Sequence, residues 1–374
     1  MKIAMIFPYA PSYREPIYQL MDRELDVEWF FCGNAKRNLK LFDYNTLKDC
    51  NLSMKEKKLV GPITYYQGLS EINLQRYDLV IIAGVIKNIS EWVLPLKVRK
   101  LKNTRIFCWT HGWYGKETRL QALIKKFYFK LFDGMLLYGD YAYNLLKGFG
   151  FPKEKLYVIK NSLDYEKQLG LRDIGLKSDI YKEYFGNTNP NLIFLGRLTS
   201  VKRLDLILSA VDKLNHRGEN YNVVFVGDGS EKESLMKLAK QLNLEPQVWF
   251  VGECFDEQKN AEYIFNADLC IAPGNIGLTS IHSLMFGCPA LTHDDFKWQM
   301  PEFEAIHSGN TGDFFARNDV DSLTQSISSW FAKHRDDREE IRQNCYGEID
   351  RCWNPEYQLT VIKNILNGLG RHDA

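Results

Sequence analysis

Short runs of consecutive apolar residues recur along the chain, separated by stretches whose apolar positions have helical spacing. The runs lie at residues 2–7, 27–32, 78–84, 105–110, 134–139, 155–161, 191–196, 222–227, 248–252 and 268–273. Runs that are apolar at nearly every position are typical of parallel strands buried on both faces and joined by helices. The pattern predicts an α/β protein with two series of βα units, and therefore two Rossmann-like, doubly wound domains.

The break between the two series falls in a polar segment, residues 166–190, which contains Gly and Pro and lacks strand spacing. We expect a first domain over residues 1–165, a linker over 166–190 and a second domain over 191–350. The tail, residues 317–370, has helical spacing, with a helix start or kink at Pro355. Residues 351–374 are expected to form a C-terminal helix that packs back on the first domain.

Composition narrows the class of protein. The length of 374 residues fits two domains, and 45% hydrophobic with 25% charged residues is ordinary for a globular protein. The eight cysteines include no CxxC pair, which favours buried reduced thiols over zinc ligation. The chain has no apolar run of about 18 residues, so no membrane-spanning helix is expected. The apolar start is short and is interrupted by Pro8 and Pro11, which fits a first β-strand better than a signal peptide. We therefore expect a cytoplasmic protein, with a position at the inner face of the membrane as an alternative.

Charge is distributed unevenly along the chain. Residues 1–170 contain 27 Lys and Arg against 17 Asp and Glu, although the whole chain is only +1. Either the first half faces an anionic partner or the two halves attract each other. No helix-turn-helix, zinc-finger or RNA-recognition pattern accompanies the basic residues, so nucleic acid is a weak explanation.

One basic segment has the composition of a helix that contacts a membrane. Within residues 119–132 the apolar positions 120, 123, 124, 127 and 131 fall on one helical face, which predicts a core-facing side. Lys125, Lys126 and Lys130 lie beside it, and residues 97–105 are also basic. The segment fits a core helix with a solvated basic side or peripheral contact with an anionic membrane.

The strongest motif follows the apolar run that ends at Gly196. Arg197 and Lys202 come next, before a helix predicted from about Leu204. A strand-to-helix turn presents backbone N–H groups at the edge of a parallel sheet, and two cations there suit a diphosphate. A basic loop with a glycine turn is the simpler alternative. The later GDG at 227–229 lacks the third glycine of a dinucleotide fingerprint, which argues against hydride transfer.

The segment 196–202 consists of a Gly-Arg pair, four further residues and a lysine. This spacing resembles the donor-diphosphate motif of glycosyltransferase family 4. Further segments resemble that family in its order, namely residues 222–235, 248–254, 264–292 and 304–315. The resemblance covers residues 155–330 well and the N-terminal half only loosely. It implies the GT-B fold, with two Rossmann-like domains facing a central cleft. It also implies a nucleoside-diphosphate sugar as donor, a retaining reaction that needs no metal or other cofactor, and no protein nucleophile.

The resemblance assigns Arg197 and Lys202 to the donor phosphates. The other donor-binding positions it implies are Gly196, Gly227, Gly252, Glu253, Asn275, Gly277, Leu278, Thr279, His282 and Glu304. The family signature has two glutamates eight positions apart, and this chain has Gly274 and His282 at those positions. We expect His282 to bind the ribose and Asn275 to replace a lost sugar contact, because imidazole and amide groups both donate and accept hydrogen bonds.

Residues 293–306 are dense in polar and aromatic side chains. We expect Asp294, Asp295, Gln299 and Glu302 to bind sugar hydroxyls, with Glu302 on the acceptor, and Trp298 to stack on a sugar. An acidic surface loop is the alternative.

Two segments of the first half follow predicted strands. Tyr13 and Arg14 are expected to meet an acceptor, and so is Trp113. His111 resembles the histidine that related enzymes place beside the donor sugar, which makes it a catalytic candidate with Arg197 and Lys202.

These features predict a glycosyltransferase that moves a sugar from a nucleoside diphosphate to a hydroxyl of a glycan or lipid-linked saccharide, in surface-polysaccharide synthesis. A sugar-nucleotide epimerase of related fold is one alternative. A non-catalytic sugar-nucleotide-binding protein is another, because both signature glutamates are replaced.

Overall fold

The structure, a computed structural model, describes residues 1–34, 41–172 and 174–370. The chain forms two compact units, one made of Met1–Asp164 with the segment from Asn354, and the other of Tyr165–Trp353. Each unit contains one sheet with helices on both faces.

The strands are β1 Lys2–Phe7, β2 Asp26–Cys32, β3 Cys50–Val60, β4 Ile63–Gln67, β5 Leu79–Ile82, β6 Arg105–Thr110, β7 Gly134–Leu137, β8 Leu156–Val158, β9 Asn191–Leu195, β10 Asn222–Val226, β11 Val248–Gly252, β12 Leu269–Ala272, β13 Ala290–His293 and β14 Gly312–Phe315. The helices are α1 Glu15–Glu24, α2 Ser90–Val98, α3 Arg119–Phe129, α4 Asp140–Gly148, α5 Tyr165–Arg172, α6 Ile180–Phe185, α7 Asp205–Asn215, α8 Lys232–Gln241, α9 Glu257–Asn266, α10 Leu278–Met285, α11 Val320–Lys333, α12 Arg338–Cys352 and α13 Pro355–Gly370.

The first unit has an eight-stranded sheet in the order β4-β3-β2-β1-β5-β6-β7-β8. Its neighbouring strands are parallel except β3 and β4, which are antiparallel. The central strands are buried on both sides, and helices α2 and α3 pack on the face opposite α1 and α13. Every apolar run of the sequence forms a strand, which confirms the predicted α/β, doubly wound class.

Four strands were not predicted from the sequence. β3 and β4 form a hairpin of mostly exposed residues, so their sequence contains no long apolar run. β13 and β14 are only four residues each, and their burial comes from neighbouring strands rather than from a distinctive local pattern.

The last helix belongs to the first unit. Helix α13 begins at Pro355, as predicted, and its Leu359 and Ile362 enter the core beside Tyr18 of α1. Gln358 is also buried there; its amide donates to the Lys160 carbonyl at 3.1 Å and its oxygen accepts from the Ser162 hydroxyl at 2.7 Å. The chain therefore returns to the first sheet after completing the second.

The second unit has a six-stranded parallel sheet in the order β11-β10-β9-β12-β13-β14. The segment expected to be a linker, residues 166–190, is part of this unit instead and contains α5 and α6. Tyr181 of α6 is buried and its hydroxyl donates to the Tyr263 carbonyl at 2.6 Å, while the Asn266 side chain accepts from the Ser178 amide at 3.0 Å. These polar contacts anchor a segment that lacks a periodic apolar pattern.

Helix α3 is oriented opposite to the sequence-based expectation. Leu120 and Phe127, expected to face the core, are 67% and 60% exposed, and Leu123 and Ile124 are exposed too. The buried side is aromatic, with Tyr128, Phe129 and Phe132 packed into the first unit's core. No helix within the described ranges is both long enough and apolar enough to span a membrane.

The buried side chain of Glu91 makes hydrogen bonds within the core of the first unit, and it predicts how the stability of the protein depends on pH. This buried carboxylate accepts from the hydroxyls of Tyr66 at 2.8 Å and Tyr128 at 3.0 Å, and from the Val85 amide at 2.6 Å. Burial raises the pKa of Glu91 from 4.5 to about 7. The folded state therefore binds more protons than the unfolded state between these values, so stability is lost as pH rises through about 7.

We expect Glu91→Gln to flatten this pH dependence in chemical unfolding, because the amide is neutral throughout. Glu91→Ala should lower the free energy of unfolding by about 2 kcal/mol, since three donors lose their acceptor. Equal slopes for the wild type and Glu91→Gln between about pH 4.5 and about pH 7 would contradict the assignment.

Candidate functional site

The second unit has a reversal of strand order at its centre. β9 pairs with β12, while the chain continues from β9 to β10 on one side and from β12 to β13 on the other. Such a reversal marks the carboxyl edge at which open α/β sheets bind ligands. The predicted donor residues of the second unit follow the carboxyl ends of its strands.

Backbone segments cross at van der Waals distance at this edge. A Cβ atom on Gly227 would lie 2.0 Å from the carbonyl oxygen of Gly196, and one on Gly229 would lie 2.3 Å from that of Leu198. Hydrogen bonds hold the crossing, with the Gly196 amide donating to Val226 at 2.9 Å and the Gly227 amide to Gly252 at 2.8 Å. Only glycine fits at 227, which keeps backbone N–H groups close to any bound ligand.

Lys202 lies beside this crossing in the loop after β9. Its ammonium group donates to the backbone oxygen of Asn275 at 2.6 Å and to the Asn275 side-chain oxygen at 2.9 Å. The structure thus brings together two predicted donor residues that are far apart in the sequence.

The electrostatic setting of Lys202 depends on two further residues. Burial lowers the pKa of Lys202 to about 8; Glu302 raises it and Arg197 lowers it further. Glu302 is only 2% exposed, whereas Arg197 is exposed. A partly desolvated ammonium group next to an exposed guanidinium is a favourable arrangement for an anion that replaces lost water contacts.

Helix α10 adds a third positive element. It begins after Gly277, which has a φ of 58° and provides no side-chain cap. The Thr279 hydroxyl donates to the Leu195 carbonyl at 3.1 Å, which fixes the helix start against the end of β9. The amides around Leu278 and Thr279 lie at the positive end of the helix dipole, a favourable place for a phosphate.

The close packing around Gly274 explains why the first glutamate of the family signature is absent. A Cβ atom here would lie 2.0 Å from the Val201 carbonyl oxygen and 2.7 Å from the Lys202 Cα. No side chain fits at this position without moving the cationic loop. The neighbouring Asn275 contacts Lys202 directly through its backbone and side-chain oxygens.

His282 is paired with a carboxylate that sequence reasoning missed. Its Nε2 lies 2.8 Å from Glu257 Oε1, which also accepts from Gln168 at 2.7 Å. Burial acts to raise the pKa of Glu257, but His282 and the other hydrogen-bond partners lower it overall. Glu257 is the first residue of α9, 25 positions from His282, and no local pattern links the two.

The remaining predicted donor residues are spread around the edge. Gly252, with a φ of 88°, ends β11, and Glu253 after it is exposed. Phe255, which sequence reasoning did not single out, is 90% exposed in the same loop. Glu304 is half-buried in the 3₁₀ turn Pro301–Ala305.

The segment 293–306 is partly structural rather than open to a sugar. Gln299 is buried; it accepts from the Ile276 amide at 2.9 Å and donates to the Thr292 hydroxyl at 2.8 Å, so it braces the loop after β12. Glu302 is also buried, which contradicts the expected acceptor contact and makes it a charge partner of Lys202. Trp298 is exposed, with the Arg317 guanidinium 4.5 Å from its ring centre.

In the first unit, His111 follows β6 at the corresponding carboxyl edge. Its ring centre lies 4.6 Å from that of Tyr138. Burial, with contributions from Arg14 and Lys125, lowers the pKa of His111 to about 4. Within the described residues its Nδ1 is buried without a hydrogen-bond partner. His111 is therefore a neutral imidazole at physiological pH, able to donate at one nitrogen and accept at the other.

The other first-unit candidates differ in accessibility. Tyr13 is exposed, and the Arg14 guanidinium lies 5.2 Å from the ring centre of Trp109 and 5.1 Å from that of Tyr138. Trp113 is buried and packs on Phe149 at 4.4 Å, so the expected acceptor contact is wrong for this residue. Its indole ring belongs to the apolar core of the first unit.

Sequence comparisons show which known proteins the chain resembles. The family model described as glycosyl transferases group 1 matches residues 178–347. An uncharacterized glycosyltransferase of Methanocaldococcus jannaschii is 23% identical over 291 residues, which are 76% of this chain and 68% of the relative. A Campylobacter jejuni N-acetylgalactosaminyltransferase that acts on a diacetylbacillosaminyl-diphospho-undecaprenol acceptor is 29% identical over 111 residues, 29% of this chain and 27% of that enzyme.

Solved structures share the fold. HepE of Anabaena, solved with UDP, superimposes with a TM-score of 0.71 at 14% identity, covering 99% of this chain and 100% of that one. The lipopolysaccharide outer core galactosyltransferase WaaB gives 0.70 at 16% identity, covering 98% and 99%.

The chain is therefore an enzyme of the glycosyltransferase class with the GT-B fold. More narrowly, it is a hexosyltransferase, and its residues 178–347 resemble the group 1, family 4 type.

The pKa of Lys202 generates a test of the anion site. Since the ammonium group loses its proton at about pH 8 in the free protein, affinity for UDP should fall as pH rises from about 7 to about 9, by up to about tenfold per unit above the pKa. Calorimetry would measure the dissociation constant at each pH.

Lys202→Arg is the matched control, because arginine stays charged and should flatten the profile while keeping affinity. Lys202→Met should bind weakly at every pH. A wild-type profile identical to that of Lys202→Met would show that Lys202 does not contact the ligand.

Proposed function

We propose that this protein transfers a hexose-type sugar from a nucleoside-diphosphate sugar to a hydroxyl of a glycan or lipid-linked saccharide, with retention of anomeric configuration. The observation that carries the proposal is the anion site at the carboxyl edge of the second sheet. There Lys202 and Arg197 adjoin the Gly196–Gly227 backbone crossing and the uncapped start of α10.

Stabilisation of the leaving group is the main electrostatic task of such a transfer. As the glycosidic bond to the donor breaks, negative charge develops on the diphosphate, and preorganised cations and N–H groups lower the energy of that state. Lys202 is already oriented by the two Asn275 oxygens, which phosphate oxygens would replace. Because these groups supply the positive charge, the proposed reaction assigns no step to a metal ion.

The route proposed for retention needs no protein nucleophile. The leaving phosphate oxygen accepts the proton of the attacking hydroxyl on the same face of the sugar. The Glu302 carboxylate, which raises the pKa of Lys202, is buried and serves as its charge partner. His111, neutral at physiological pH, is proposed to orient a substrate hydroxyl through hydrogen bonds rather than to transfer a proton.

We propose UDP as the nucleotide and Glu257 as the ribose contact. HepE of Anabaena was solved with UDP and also with UDP-glucose, which supports uridine as the first base to test. A carboxylate accepts hydrogen bonds from both hydroxyls of a ribose. His282 lies at the signature position and holds Glu257 at 2.8 Å, so α9 supplies the carboxylate that α10 lacks.

A lipid-linked acceptor at a membrane is the proposed setting. The C. jejuni relative is named for an undecaprenol-linked acceptor. In the first unit, α3 exposes Leu120, Leu123, Ile124 and Phe127 at helical spacing. Basic residues flank this face, including the exposed Arg119 and Lys130, and the exposed basic segment 97–105 adjoins it through a hydrogen bond from Arg99 to the Lys130 carbonyl. Apolar side chains framed by cations fit an anionic bilayer surface.

A non-catalytic UDP-sugar-binding protein is the second candidate. It is favoured by Gly274, because the packing at this position excludes the carboxylate that family members place against the donor sugar. Incubation with UDP-sugar and acceptor separates the two functions, since tight donor binding without a glycosylated product would support the binding protein. An epimerised nucleotide sugar formed without acceptor would support the epimerase.

We expect UDP or a UDP-sugar to bind, and Arg197→Ala to weaken binding by about tenfold or more, because a charge-assisted contact to phosphate is lost. Calorimetry with UDP, GDP and their sugar conjugates measures this. Lys213→Ala, an exposed cation of α7, is the matched control and should bind as the wild type does.

The same titration tests the ribose contact. Glu257→Gln should reduce the preference for UDP over 2′-deoxy-UDP by several-fold, because the amide accepts at one oxygen only. Equal UDP binding by the wild type and Arg197→Ala would contradict the diphosphate assignment, whereas an unchanged ribose preference would contradict the role of Glu257 alone.

We expect the protein to cosediment with vesicles that contain phosphatidylglycerol, and less well at high salt. The double variant Leu120→Ser, Phe127→Ser should bind at least about tenfold more weakly, since two large apolar side chains no longer enter the interface. Met236→Ser, an exposed apolar residue of α8, is the control. Undiminished sedimentation of the double variant would exclude α3 as the contact.

A further inference from the structure

A second cavity of about 790 Å³ opens in the second unit, away from the site described above. Asn191 at the start of β9, Asp268 before β12 and Pro289 before β13 line it. Because the strands are parallel, their amino ends lie at the edge opposite Lys202 and Gly277. All residues that line the cavity belong to Tyr165–Trp353, so it is complete within one unit.

The walls combine aromatic and polar surfaces. Helix α6 forms one side, and the end of α11, with Trp330 and Phe331, forms the other. The Phe331 ring lies 5.0 Å from that of Tyr221, between centres. The volume falls within the range of roughly 300–1,000 Å³ that is typical of small-ligand sites.

Interlocked side-chain amides fix the cavity-lining residues Asn187, Asn189 and Asn191 in place. Asn222 is fully buried, and its Nδ2 donates to the side-chain oxygens of Asn187 and Asn191, each at 3.0 Å. Asn187 in turn orients the Asn189 amide, which donates to it at 3.0 Å. Planar amides in fixed orientations present both donors and acceptors, and little entropy is lost in ordering them when a ligand binds.

The charges around the cavity balance. Three acidic and three basic residues line it, namely Asp179, Glu219, Asp268, Lys182, Arg335 and Arg338. The Arg338 guanidinium stabilises the fold, because it donates a hydrogen bond to the Gly287 carbonyl at 2.7 Å. A site for phosphate or a nucleotide would have an excess of positive charge, so this balance favours an uncharged polar ligand.

His334 lines the cavity, but its Nε2 is enclosed by the protein. Its side chain is 6% exposed, and Nδ1 lies 2.7 Å from Asp337 Oδ2. The ring centre lies 4.2 Å from that of Trp330. His334 therefore adds ring surface to the aromatic wall rather than Nε2 as a hydrogen-bonding atom.

We propose that this cavity binds a short segment of uncharged saccharide, as a site separate from the transfer reaction. Saccharides are polyhydroxylated, which matches the amides, carboxylates and guanidinium at the wall, and their C–H faces pack on aromatic rings. The occupant is either a free oligosaccharide or part of a longer glycan. Such a site holds a glycan on the protein without involving the residues that bind the donor.

Saturation-transfer NMR and calorimetry with maltotriose, mannotriose and chitotriose test the proposal. At least one of the three should bind the wild type at millimolar concentration. Ala332→Trp should weaken that binding by at least about tenfold, because Ala332 is exposed at the cavity and an indole there fills its opening. Gln325→Trp, an exposed position of α11 that does not line the cavity, should bind as the wild type does.

A second variant, Asn220→Ala with Arg335→Ala, removes two exposed polar groups of the wall and should weaken binding several-fold without filling the cavity. Absence of binding by all three trisaccharides overturns the proposal. So does binding that Ala332→Trp leaves unchanged, or binding that His111→Ala abolishes. UDP affinity should be the same in every cavity variant, and a protein that binds trisaccharide here but not UDP would keep this inference while contradicting the proposed function.

Discussion

The contact of backbone with backbone at the carboxyl edge of the second sheet is the constraint on which the rest of the donor site depends. Gly227 meets Gly196, and Gly274 meets Val201 and Lys202, at distances that leave no room for a Cβ atom. The loops after β9, β10 and β12 are thereby fixed against one another. Lys202 is partly buried because of this packing, and its desolvation makes it a strong partner for an anion.

The same packing accounts for the divergence of the donor signature. A glutamate at position 274 would collide with the cationic loop, so the close approach of that loop and a carboxylate at this position exclude each other. Position 282 differs, because the His282 side chain fits there and contacts the carboxylate of Glu257 in helix α9. A carboxylate at the first position is thus structurally excluded, and at the second position the histidine is paired with a carboxylate from another helix.

The two units use buried polar groups in different ways. In the first, Glu91 is satisfied by two tyrosine hydroxyls and a backbone amide and belongs to the core. In the second, an amide network fixes residues that line the cavity at the amino edge, while Lys202 at the carboxyl edge, a group with three donor hydrogens, donates to two oxygens of Asn275. Fully satisfied groups stabilise the fold, and incompletely satisfied ones leave free energy available for ligand binding.

The sequence by itself determined the fold class, ten of the strands and the cationic motif of Arg197 and Lys202, because these depend on local apolar runs and short spacings. It did not predict the β3–β4 hairpin, which is largely exposed and so has no apolar signature. It also predicted the wrong side of α3 as buried, since periodicity defines an apolar face but not which surface covers it. Only the tertiary structure paired His282 with Glu257, buried Trp113 and Glu302, and formed the cavity at the amino edge. Each of these involves residues distant in the sequence, whose contacts arise from the packing of helices on the sheets.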